Sequence, residues 1–341
     1  MEFAISERRK IGGAHPVFII AEVGNNHQGD FNVARQSVDC AADVHADAVT
    51  FQHTPLRSYC VHTLHDDPRI ALLKQCELSF EQLQKLRMRA KEKGLAFSVN
   101  VENAEMLDKV LKLGIDFIKL CSADLTNTPF IKYCASQQKP IFFSTGGAYI
   151  EEIQVAYDAM KKAGLRHYVI YHTNSGYPTP MSEANIRQMD LLHDRFGGVK
   201  GYCDHTGDII PPIVAVSRGA KVIEKHITVC RASKGIDWMV SLEPQEFERM
   251  VTYIRQAESS LGSIVKEPTR FETETRLFKR KSIISKTNIP AGKIFSEEDF
   301  CYKLPSTGIS PVDVDKVVGR KSLVDIAEDV VILPTYVEGF K

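Results

Sequence analysis

The chain of 341 residues has no surplus of charge, with 43 basic side chains against 43 acidic ones. A basic excess or patch is what draws a protein to nucleic acid or to a membrane surface, so neither partner is expected. A neutral chain can still gather positive charge in one cleft, which leaves an anionic small-molecule substrate open. The eight cysteines, at positions 40, 60, 76, 121, 134, 203, 230 and 301, include no CxxC pair, which argues against a structural zinc site. Cys121 and Cys203 lie in apolar runs, where a thiol acts as a small buried hydrophobe. The opening MEFAISERRKIGGAHP lacks an apolar signal core, and no stretch approaches transmembrane length. A reducing compartment, the cytoplasm, is therefore the expectation. Low-complexity segments are missing too, and no GxGxxG follows the first strand-like run, which weakens the case for an open dinucleotide-binding sheet.

What is present is a regular alternation. Eight short apolar runs, Val17–Glu22, Ala48–Gln52, Ala96–Asn100, Phe117–Cys121, Pro140–Ser144, His167–His172, Val199–Cys203 and Lys221–His226, read as strands buried on both faces. Amphipathic segments lie between or after them, among them Glu81–Lys93, Ala104–Leu113, Ile150–Ala163, Glu183–Asp194 and Pro244–Leu261. Eight such units over residues 1–262 predict an α/β fold, a (β/α)8 TIM barrel. Residues 263–280 are polar and read as a connector. Residues 281–341, short β-runs broken by turn signals, form a small β-rich domain with little core of its own.

In TIM barrels the site sits at the C-terminal strand ends. Those ends carry Glu22, Lys119 with Ser122 and Asp124, Ser144 before Gly146 and Gly147, Ser175 and Tyr177, His205, and His226. The glycine turn offers backbone amides to an anion. A lone strand-end histidine is usually a hydrogen-bonded structural residue. His205 and His226, at matching ends of adjacent strands roughly 5 Å apart, instead suit one shared divalent ion. Glu22 or Asp237 would supply nearby oxygens, and the ion would polarise a substrate carbonyl. Glu22 alone fits a barrel-floor hydrogen bond as well as a catalytic role. A lysine inside an apolar strand needs an anion, so Lys119 meets either substrate or an internal carboxylate.

The stretches IIAEVGNNHQGD, DFIKLCSADLTNTPFIKY, KPIFFSTGGA, YPTP, DHTGD, GAKVIEKHITV and SLEP resemble the sialic acid synthase family, which includes the N-acetylneuraminate, legionaminate and pseudaminate synthases. IPAGKIFSEEDF, STGISP and VVGRKSLVDI resemble its C-terminal antifreeze-like (SAF) domain. The resemblance implies condensation of phosphoenolpyruvate with an open-chain amino sugar to a 2-keto sugar acid and phosphate. It implies Glu22, Asp237, His205 and His226 as catalytic residues, with His205 and His226 as metal ligands. Gln52, Lys119, Ser122, Asp124, Ser144, Ser175 and Tyr177 become the expected substrate contacts. The implied cofactor is a divalent metal, Mn²⁺ first, with Mg²⁺, Co²⁺, Fe²⁺ or Zn²⁺ as alternatives. A domain-swapped homodimer is the implied assembly.

The departures from the family pattern are Thr50, Val99 and Cys203 at positions tied to the phosphate or carboxylate of phosphoenolpyruvate, and Leu304 where relatives place an arginine on the sugar's acyl group. Removing one charge-assisted hydrogen bond to a phosphate costs on the order of 2–4 kcal/mol, unless Arg57, His53 or Lys225 compensates. Leu304 points to an altered acceptor. Two alternatives stay open: a metal-dependent barrel enzyme with another donor or reaction, and a non-catalytic homologue.

Overall fold

Phe3 and Ile5 alternate with solvent-facing Glu2 and Ala4, the pattern of a strand with one buried face. They form β1 (Glu2–Ser6), which pairs antiparallel with β2 (Arg9–Gly12). Phe3, Ile5 and Ile11 cluster with Phe18, Phe117, Phe142, Val169 and Val222, residues from the starts of the barrel strands, so the hairpin plugs the barrel floor. The computed structural model describes residues 1–6, 9–55, 59–64 and 67–340 and divides into two units, Met1–Gly262 and Ser263–Lys341.

The expected strands follow as β3 (Phe18–Gly24), β4 (Ala48–Gln52), β5 (Ala96–Asn100), β6 (Ile118–Leu120), β7 (Ile141–Ser144), β8 (Tyr168–Thr173), β9 (Val199–Asp204) and β10 (Val222–His226). They form one parallel sheet in the order β5-β4-β3-β10-β9-β8-β7-β6. The two ends of that order meet where the Asp116 amide donates to the Phe97 carbonyl at 2.9 Å and Ser98 Oγ to the Phe117 carbonyl at 2.7 Å. The TIM barrel is thus the observed fold.

Strand alternation sorts the side chains into two layers. Val49, Phe51, Phe97, Val99 and Val101 face the helices and share a core with Leu83, Leu86, Leu107 and Val110. Their sequence neighbours face the barrel axis, apolar at the floor and polar towards the strand ends. The helices are capped by their own sequence: Ser79 and Gln82 form a capping box, and Asp30 and Asn103 accept from first-turn amides. One expected helix is shorter than its pattern. Glu183–Asp194 resolves into a 3₁₀ turn, Met181–Glu183, and a helix, Gln188–Phe196, because Asn185 takes a left-handed φ of 44° between them.

In the second unit β11 (Ser282–Ser285) pairs antiparallel with β12 (Phe300–Lys303) over a small core that includes Ile283, Phe295, Phe300 and Ile332. The segment before it contains a helix, Arg270–Lys279, whose Leu277 carbonyl accepts from the Ser306 amide at 2.8 Å. Among the described residues no helix is long and apolar enough to cross a membrane.

Candidate active site

A cavity of about 160 Å³ opens at the C-terminal strand ends, and Glu22, Gln52, Lys119, Ser122, Ser144, Ser175, Tyr177, His205 and His226 all line it. Nine of the eleven residues singled out from the sequence thus converge. Asp237 stands just behind, its Oδ2 accepting from the Asn25 amide at 2.9 Å. Gly24 fits between Asp237 and His226 at a φ of 56°, and a Cβ there would lie 2.5 Å from Asp237 Oδ2 and 3.3 Å from His226 Cε1. Asp124 is the exception. It is buried beside the cavity, does not line it, and accepts from Asn127 at 3.3 Å through Oδ1 while Oδ2 has no partner among the described residues.

The two imidazoles stand with ring centroids 5.5 Å apart. His205 Nδ1 donates to the Asn174 carbonyl at 2.6 Å, which fixes the tautomer and leaves the Nε2 lone pair for a ligand. His226 Nε2 meets the Tyr177 hydroxyl at 2.8 Å. Burial holds His205 down at about 4 and His226 well below the ordinary imidazole range, so both rings are neutral at physiological pH. Neutral, oriented imidazoles are what a divalent transition ion requires, and the pair fits one. Among the described residues no group of three or more His, Cys, Asp or Glu side chains is arranged to hold a metal. Glu22 lines the cavity beside the histidine pair, and Asp237 approaches His226 across Gly24.

Glu22 is pinned by two donors, the Gly24 amide at 2.7 Å and the Thr50 hydroxyl. Burial, reinforced by the Glu224 carboxylate, pushes it up to about 7. Burial likewise lifts Asp237 to about 6. Lys119 Nζ meets Glu224 Oε1 at 2.5 Å, with side chains only 5% and 2% exposed, so of the two anions expected for this lysine the structure supplies the internal carboxylate. Opposite, a Cβ on Gly146 would fall 2.3 Å from Ser175 Oγ and 2.8 Å from Ser122 Oγ, so glycine is what lets the hydroxyls converge. The Gly146 amide is already committed to Ser122 Oγ at 3.0 Å. Of the turn amides expected from the sequence to face an anion, that of Gly146 is thus already bonded.

Several readings of the departures are corrected. Val99 packs in the helix-facing core, and it is Asn100 that lines the cavity from β5. Lys225 is fully buried against Asp204 Oδ2 at 2.6 Å, so it cannot replace a missing cation. His53 does not line the cavity, and Arg57 lies outside the described residues. Cys203 does face the site, its Sγ 3.3 Å from Glu224 Oε1. Glu224 itself was missed, although it stands two residues before His226 and so shares its inward face. Asn26 was missed as well. Its Nδ2 donates to the Ile227 carbonyl at 2.9 Å and to Ser241 Oγ at 2.7 Å, and its Oδ1 accepts from the Asp237 amide at 3.2 Å, fixing the loop that carries Asp237.

Fold and site define a barrel enzyme acting at the C-terminal ends of its strands. The chain belongs to the NeuB family, which it matches over residues 37–266, and residues 280–338 match the SAF domain. It is 33% identical over 355 residues to an N,N'-diacetyllegionaminic acid synthase of Legionella pneumophila, covering 98% of this chain and 100% of that protein. The N-acetylneuraminate-9-phosphate synthase of Homo sapiens is 29% identical over 350 residues, 99% of this chain and 97% of that one. Among solved structures, an N-acetylneuraminic acid synthetase from Leptospira borgpetersenii in complex with citrate superposes with a TM-score of 0.76 at 32% identity, covering 80% of this chain and 94% of that one.

Proposed function

We propose that the chain condenses phosphoenolpyruvate with an open-chain amino sugar, giving a 2-keto sugar acid and inorganic phosphate. Water is the third reactant: carbon 3 of the donor bonds to the sugar's carbonyl carbon, water adds at carbon 2, and phosphate departs. The observation that carries this reading is the neutral pair His205 and His226, beside Glu22 and Asp237 and facing three serine hydroxyls across one cavity. His205 and His226 would hold a divalent ion, Mn²⁺ foremost, which supplies Lewis acidity to the sugar's carbonyl oxygen. Glu22, poised near neutrality, gains or loses a proton at an oxygen beside the histidines. Asp237 accepts from a sugar hydroxyl, and Lys119 with Ser122, Ser144 and Ser175 receives the donor's anionic end.

The reading extends to a cytoplasmic homodimer. Phe271, Leu277 and Phe278, exposed on the helix Arg270–Lys279, are apolar surface of the kind a second copy covers. A second reading keeps the barrel and the ion but uses a less charged donor. It is favoured by Lys119, which is the only lysine or arginine lining the cavity among the described residues and is already neutralised by Glu224.

Phosphate release separates the two. With phosphoenolpyruvate, Mn²⁺ and a panel of amino sugars, release is expected only when all three are present, and His226→Ala abolishes it. Sugar-dependent product formation with pyruvate in place of phosphoenolpyruvate would establish the second reading instead.

A further inference from the structure

Asp237 points towards Gly24 and the His226 ring, while its two neighbours in the chain, Ile236 and Trp238, line a second cavity of about 270 Å³. Gln28, Gln75, Cys76 and Lys234 complete its polar lining. Asn25 links a residue behind the first cavity to a residue of the second. Its amide donates to Asp237 at 2.9 Å, and its carbonyl lies 3.7 Å from Cys76 Sγ on the wall of the second cavity. The loop that carries Asp237 is firmly placed. Asn26 holds Asp237 and Ser241, and a Cβ on Gly235 would come within 2.9 Å of Asn26 backbone atoms, so the loop packs directly on the end of β3. On the opposite side, Gln28 Nε2 donates to the Ser233 carbonyl at 3.1 Å.

Trp238 is the chain's only tryptophan, and its side chain is half-buried. An indole left at a cavity wall offers a broad apolar face and one N–H. Ringed by two carboxamides and one ammonium, such a face suits a ligand with C–H surface on one side and hydroxyl or amide groups around it. A carbohydrate chain has that character. A lipid would leave the amides unpaired, and a phosphate would find one exposed lysine and no further cation among the lining residues.

We propose that Trp238 and this cavity seat the end of the acceptor sugar farthest from its carbonyl, which makes Trp238 a specificity-determining residue. The inference rests on the synthase reading above. A sugar held by its carbonyl next to His226 extends past Asp237, and its acylamino or hydroxyl substituents lie over the indole with Gln28, Gln75 and Lys234 at the edges.

Because the chain has a single tryptophan, emission excited at the red edge, where its eleven tyrosines do not absorb, reports on this cavity alone. The probes are N-acetylmannosamine and 2,4-diacetamido-2,4,6-trideoxymannose, the sugars left when three pyruvyl carbons are removed from N-acetylneuraminate and from N,N'-diacetyllegionaminate. Titrated into the Mn²⁺-loaded protein, at least one of them should change the emission saturably, whereas phosphoenolpyruvate alone should not. Trp238→Ala should raise KM for that sugar about tenfold while KM for phosphoenolpyruvate and kcat stay within about twofold, and Trp238→Phe should recover much of the loss. Turnover of a sugar that leaves the emission unchanged, or a Trp238→Ala variant with unaltered sugar KM, overturns the inference and spares the synthase reading. A saturable emission change without phosphate release under any condition does the reverse.

Discussion

Replacing Glu224 by glutamine should weaken the fold and strengthen donor binding in one stroke. The Glu224 carboxylate meets Lys119 Nζ at 2.5 Å where neither side chain is more than 5% exposed. Burial alone would pull the Lys119 ammonium down, but Glu224 outweighs it and holds the lysine above its ordinary range. Glu224→Gln keeps the shape and leaves that charge uncompensated, which costs about 3–5 kcal/mol. For a unit of this size each kcal/mol is worth about 2–4 °C, so the midpoint should fall by roughly 6–20 °C. The freed ammonium is then open to the donor's anion, with Glu22 the competing carboxyl, and phosphoenolpyruvate affinity should rise about tenfold, a gain of ~1.4 kcal/mol. Thermal melts with and without phosphoenolpyruvate, joined to calorimetric titration, read both effects. In the double variant Lys119→Met with Glu224→Gln most of the stability should return without the donor affinity. A Glu224→Gln protein that melts with the wild type, or binds the donor more weakly, would refute the assignment of Lys119 to the donor's anion.

Glu22 gives a pH signature. Its carboxyl is raised from 4.5 to about 7, so between these values the folded chain keeps a proton that the unfolded chain has released. The stability difference between wild type and Glu22→Gln should therefore fall as pH rises from about 4.5 to about 7 and level off above; a difference that rises over that window would sink this account. Thr50→Lys tests the donor site from the other side. Thr50 is fully buried and donates to Glu22, so a lysine there would place a second cation at the cavity floor and should tighten phosphoenolpyruvate binding. An unchanged Kd would count against a donor anchored near that floor.

The barrel and most of the site were legible because strand alternation is a local property. Glu224 and His226 share one face of β10 while Lys225 takes the other, and on β9 Asp204 turns outward to meet Lys225 while Cys203 turns inward. The same parity puts Val99 in the helix layer and Asn100 at the cavity, so the expectation of Val99 beside the donor ran against the alternation of its own strand. What parity cannot supply is which inward residues touch across the barrel. Lys119 and Glu224 stand on β6 and β10, 105 residues apart in the chain, and only closure brings them together. The link from Asn26 to Asp237 spans 211 residues and depends on where one loop folds over one strand end. The hairpin β1–β2 escaped notice because its strands are short and its apolar face is complete only against the barrel floor.

Closure also decides the charge of the site. Glu22 and Glu224 line the cavity, with Asp237 behind, and Lys119 is the only lysine or arginine among the described lining residues. Were all four ionised, the floor would repel any phosphate. A proton on Glu22 and the ion pair between Lys119 and Glu224 bring the cavity lining close to neutral instead. A donor bearing phosphate and carboxylate therefore meets little net attraction from the floor. On the proposed reaction its hold would come from the hydroxyls of Ser122, Ser144 and Ser175 and from the charge of a divalent ion held by the two neutral imidazoles. The proposed reaction then predicts an order of binding, ion first and anionic donor second. On that logic donor affinity should depend on the metal even though His205 and His226 are assigned to the acceptor's oxygen.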